Sequence, residues 1–106
     1  MKEYRLYELA SVIRSKNSGP FQITLDALFS DEEVYREIRE SGQITRQAVA
    51  RLYHMEPERI ENIVFFDAAR GFKITYNRRI SSGTCGERDV YGAQQHMPLA
   101  EMRIRL

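Results

Sequence analysis

The chain has 106 residues, enough for one domain with a single modest core and too few for two. Its 16 basic and 15 acidic residues leave a formal net charge of +1, which excludes a global field favouring nucleic acid or an anionic membrane. The lone cysteine, Cys85, excludes an internal disulfide framework.

The first stretch, MKEYRLYELA, is broken by charges every few residues and lacks the apolar core of a secretory signal. No run approaches the roughly 20 apolar residues of a membrane span. With the single cysteine, these features point to a soluble cytoplasmic protein. Residues 4–13 are rich in apolar and aromatic side chains and read as a strand. Residues 21–29 alternate. Phe21, Ile23, Leu25, Ala27 and Phe29 share one face, and Gln22, Thr24 and Asp26 take the other, the pattern of a half-buried strand. Between them RSKNSGP, residues 14–20, reads as a hairpin loop, because Asn, Ser and Gly favour turns and Pro20 sets the exit.

SDEEVYREIRESG then predicts a helix, with Ser30 as N-cap, Glu33 completing a capping box and Gly42 as the stop. A second helix is predicted over TRQAVARLYH, capped by Thr45, with Ala48, Val49, Leu52 and Tyr53 on one face. After Pro57 the period changes. IENIVFF, residues 60–66, is a near-continuous apolar run and predicts a strand covered on both faces. FKITYN, residues 72–77, alternates again, with Phe72, Ile74 and Tyr76 on its apolar side. Residues 81–96 form the longest irregular stretch, and LAEMRIRL predicts a final strand. The order ββααβββ predicts a single α+β domain over residues 1–106. It is a two-layer sandwich of one mainly antiparallel sheet with two helices packed on one face, ferredoxin-like in spirit.

Two segments carry candidate site residues. In RSKNSGP, Arg14 and Lys16 supply positive charge. Ser15, Asn17, Ser18 and Gly19 supply polar groups and a tight backbone whose N–H groups could converge on an anion. The plain alternative is a solvated turn with two surface cations. In SSGTCGERDVYGAQQH, Gln94 and Gln95 can hold a polar ligand by their amides, and His96 is a candidate proton carrier oriented by Asp89. The plain alternative there is a surface loop. Cys85 has His96 as the one histidine of its loop but matches no cysteine-enzyme signature. Cys85, His54 and His96 show no CxxC or HxxxH spacing, so no metal site is expected, and His54 is expected to serve a helix end. No Walker or GxGxxG pattern calls for a nucleotide cofactor. No basic stripe interleaves with aromatics, so no nucleic-acid partner is expected. The alternating terminal strand is a candidate sheet edge for a homo-oligomer.

Three runs carry a resemblance. LYELASVIRSKNSGPFQITLDALF, FFDAARGFKITYNR and DVYGAQQHMPL together resemble a small bacterial domain of unknown function. That domain is found beside proteins like AtuA, the acyclic terpene utilisation protein. More distantly, LYELA followed by RSKNSGP and an alternating strand is similar to the C-terminal domain of AtuA-like proteins, which is described as ferredoxin-like. The resemblance implies an α+β fold and a partnership with a larger AtuA-like chain. Those larger proteins are associated with acyl-CoA and branched or hydroxy-acid catabolism, so it also implies a small carboxylate or acyl-CoA ligand. The expected role is an accessory subunit or ligand-binding module. The alternatives are a stand-alone lyase, isomerase or hydratase for a small acid using His96, with Arg14 holding the substrate, and a structural self-associating protein.

Overall fold

The computed structural model of the chain describes residues 2–77 and 96–106. In order, the elements are β1 (Glu3–Arg5), α1 (Leu6–Leu9), β2 (Val12–Asn17), β3 (Gln22–Leu28), α2 (Glu32–Ser41) and α3 (Arg46–Leu52). A 3-10 turn, Pro57–Arg59, follows, then β4 (Ile60–Phe66), β5 (Gly71–Asn77), α4 (Met97–Ala100) and β6 (Arg103–Arg105). The fold is α+β, as the alternation of periods predicts.

The strands make two antiparallel sheets rather than the single one expected. One has four strands in the order β2-β3-β5-β4, and the other pairs β1 with β6. Both β3 and β4 run antiparallel to β5, so they run parallel to each other with β5 between them. The α2–α3 pair is the crossover that this requires. The result is the split β-α-β unit that ferredoxin-like folds share, with β2 added beside β3.

Local chemistry explains the boundaries. At α2 the N-cap is Asp31 rather than Ser30: its Oδ1 accepts from the backbone N–H groups of Glu33 (2.9 Å) and Val34 (3.4 Å). Gly42 ends α2 at φ 70°. Thr45 Oγ1 caps α3 by accepting from Ala48 N–H at 3.0 Å. That helix closes on His54 in the left-handed region, with His54 N–H bonded to Arg51 O and Met55 N–H bonded to Ala50 O. This is a Schellman end built on histidine instead of glycine, in keeping with a helix-end role for His54.

Residues 4–13 are not one strand. Leu6, Leu9 and Ala10 recur at helical spacing, and a turn of helix carries the chain from the small sheet to the large one. In the same way Leu99 and Met102, three apart, belong to α4 and the turn after it, so the final strand is shorter than expected. β4 is also a correction. It lies at the edge of the sheet, and a bulge between Ile60 and Asn62 resets its alternation. Ile60, Ile63 and Phe65 then turn toward the core, while Val64 and Phe66 stand in solvent.

The core lies between the large sheet and a second layer made of the helices and the small sheet. Ile23, Leu25 and Ala27 of β3 and Phe72, Ile74 and Tyr76 of β5 meet Tyr35, Ile38 and Val49 of the helices, with Leu6, Leu99 and Ile104 closing one end. Phe29, Tyr35, Phe65 and Phe72 form a chain of tilted rings with centroids 5.4–6.3 Å apart. Such contacts each add about 0.5–1.5 kcal/mol beyond area burial.

Candidate functional site

Strand alternation and register assign the side chains of the large sheet to two faces. The helix-side face is the core. On the opposite face, cross-strand register places Arg14, Asp26, Lys73 and Val64 in one row. The next row is Lys16, Thr24, Thr75 and Asn62. A third row, Val12, Leu28, Gly71 and Phe66, is apolar. This open face is therefore cationic and hydroxyl-bearing over one part and greasy over another.

Within it Arg14 Nε lies 3.2 Å from Asp26 Oδ2. The Asp26 side chain is only 8% exposed and the Arg14 side chain 59%, so a surface guanidinium covers a buried carboxylate. Thr24 is buried as well, and among the described residues its hydroxyl has no hydrogen-bond partner. Where the row runs out toward the sheet end, the Gln22 side-chain amide donates to the Glu61 carboxylate.

This arrangement corrects the reading of RSKNSGP. Arg14, Ser15, Lys16 and Asn17 are strand residues of β2, and the turn begins at Ser18, whose N–H is bonded to Gln22 O at 3.0 Å. Gly19 takes φ 126° there. Extended backbone sends successive N–H groups to opposite edges, so residues 14–17 cannot converge on an anion as a backbone nest. Arg14 and Lys16 share the open face, whereas Ser15 and Asn17 turn to the other.

His96 lies elsewhere. It lines a cleft of about 530 Å³ together with Arg5, Tyr7, Glu8, Ser11, Ile13, Met97 and Glu101. Arg5 organises the rim. Its Nε is 3.6 Å from Glu8 Oε1 and its Nη1 is 3.6 Å from Glu101 Oε2. Glu8 also accepts from the Arg5 backbone N–H at 2.9 Å, which fixes the start of α1. The guanidinium carbon sits 5.8 Å from the centre of the Tyr7 ring. Ile13 faces this cleft while its neighbour Arg14 stands on the opposite face of β2, so Arg14 and His96 do not line one pocket among the described residues. Asp89, Gln94, Gln95 and Cys85 lie outside the described residues. Among the described residues, no cluster of His, Cys, Asp or Glu could hold a metal ion, and no helix is long and apolar enough to cross a membrane.

Sequence reasoning missed the cleft's Arg5, Glu8, Ser11 and Glu101 because they come from both ends of the chain and meet only through the β1–β6 pairing. It placed Thr24 on a polar strand face, but not beside Arg14 and Lys16.

The model of a family described as a domain of unknown function, DUF4387, matches residues 6–103. The chain belongs to that family. No curated protein and no solved structure matches it.

Proposed function

We propose that this member of the family is a small accessory and ligand-binding module that works with a larger AtuA-like protein in acyl-CoA or organic-acid catabolism. The observation that carries the reading is the composition of the open sheet face. Val12, Val64 and Phe66 are 41, 38 and 45% exposed there, beside the cations Arg14 and Lys16. Apolar side chains gathered on one face with charge at their border mark an interaction surface. The resemblance of the chain to the domain found beside AtuA-like proteins supplies the partner.

The test is capture under native conditions from the source cell, read by mass spectrometry. One larger AtuA-like chain should come down in near-equal amount, and Val64→Ser with Phe66→Ser should lose it while the fold persists, since both residues are in solvent. Recovery of the small chain alone, at salt low enough to keep weak complexes, would overturn the reading.

The His96 cleft favours a second reading, a stand-alone enzyme acting on a small acid, with His96 moving the proton. Turnover by the isolated chain, abolished in His96→Ala, would shift the assignment there.

A further inference from the structure

We propose that the row Lys16–Thr24–Thr75 on the open sheet face is an oxyanion site, taking the carboxylate or phosphate group of a small ligand. It deepens the ligand-binding part of the proposed function by naming the ligand's chemistry.

Three observations carry it. Among the described residues the Thr24 hydroxyl is buried without a hydrogen-bond partner, and a native fold tolerates such a group only at a cost. Register sets Thr24 between Lys16 on β2, which carries an ammonium, and Thr75 on β5, which carries a second hydroxyl. The carboxylates of this region are already engaged: Asp26 by Arg14 and Glu61 by the Gln22 amide. Among the described residues, the cations Arg14, Lys16 and Lys73 outnumber the carboxylates Asp26 and Glu61 by one, because the Gln22 amide is neutral and leaves the Glu61 charge in place. A hydroxyl can donate to an oxyanion, and lysine supplies the charge as a movable point donor. Lys16 is exposed and Thr24 is covered, so an anion arriving from solvent meets the Lys16 ammonium first.

The experiment is an amide-resolved NMR titration of the isolated chain with sodium acetate and, separately, with inorganic phosphate, at ionic strength held constant with chloride. Saturable shifts centred on Lys16, Thr24 and Thr75 are expected. Saturation by acetate alone identifies a carboxylate ligand, by phosphate alone a phosphoryl ligand, and by both a site for either. Thr24→Val keeps the side-chain shape and removes the hydroxyl. It should fold at least as well as the parent and bind about tenfold or more weakly, the loss of one hydrogen bond to a charged group. Lys16→Gln should weaken binding in the same direction. No saturable shift with either anion, or equal affinity in Thr24→Val, overturns the site. The partner is absent from this titration, so a failed capture leaves its result intact. Absent anion binding likewise leaves docking through Val64 and Phe66 standing.

Discussion

Gly71 shows how one atom decides a hairpin. It opens β5 directly opposite Leu28, and a Cβ placed on it would lie 2.4 Å from Leu28 Cδ2 and 2.6 Å from Ala27 O. The leucine methyl could rotate away, but the carbonyl belongs to the central strand and cannot. Close backbone approach is the reason for glycine inside a strand. Gly71→Ala should therefore destabilise the fold by about 2–3 kcal/mol, the scale of overpacking in a tight site. Urea denaturation checks this: the midpoint should fall with the slope unchanged. A variant as stable as the parent would mean that the β3–β5 spacing is looser than the register implies. In the sequence Gly71 is visible only as a bend after Ala68-Ala69-Arg70. Its contact with Ala27 joins residues far apart in the sequence, and local pattern carries no record of such pairing.

Helix α2 separates two neighbouring candidates for one cap. Ser30 and Asp31 both suit an N-cap, and a Glu lies three residues after Ser30, so the capping-box pattern favours Ser30. The structure selects Asp31, because its carboxylate reaches two N–H groups of the first turn while carrying a charge that suits the helix dipole. Asp31→Ala should cost about 1 kcal/mol and Ser30→Ala no more than a few tenths. Thermal melts of the two variants side by side test this, and equal losses would mean that the two side chains share the cap. Periodicity was legible wherever one face is core and the other is not. Hence β3, β5, α2 and α3 follow from their own residues. It failed where an element is too short to show a period, as at Leu6–Leu9 and Met97–Ala100, and where an apolar run sits at a sheet edge, as at β4. The candidate site was less legible still. Arg14 and Lys16 stand out as cations beside a turn, but Thr24 is an ordinary polar position until β2 and β5 flank it.

At the scale of the molecule, side-chain polar groups tie the second layer to the large sheet and to itself. Gln43, after α2, meets the outer edge of β6: its Nε2 donates to Arg105 O at 2.7 Å and its Oε1 accepts from Arg105 N–H at 2.9 Å. That contact occupies the strand edge at Arg105, which weighs against the terminal strand as an open site for self-pairing. Two tyrosines, Tyr35 buried and Tyr53 half-buried, act similarly. The Tyr35 hydroxyl of α2 donates to Asp67 Oδ1, in the β4–β5 turn, at 2.7 Å. Tyr53, after α3, accepts from the Leu99 N–H of α4 at 3.2 Å. Burial pushes the Tyr35 phenol up to about 12, with the Asp67 hydrogen bond and charge adding to the shift and Arg39 opposing it. Burial likewise holds Tyr53 above the ordinary phenol range, the Leu99 bond acting against it and Tyr76 with it. Because the folded state keeps these protons more tightly than the unfolded chain, their contribution is complete below the ordinary phenol value of 10.0. For Tyr35 it is lost as pH rises from there to about 12, where the unfolded chain has released the proton and the folded one is beginning to. Stability measured by urea midpoint should thus be insensitive to these groups at neutral pH and fall through that alkaline window. Tyr35→Phe should start less stable at neutral pH, having lost the bond to Asp67, and then decline less steeply with pH. Parallel curves for parent and variant would show that Tyr35 is not a source of the alkaline loss.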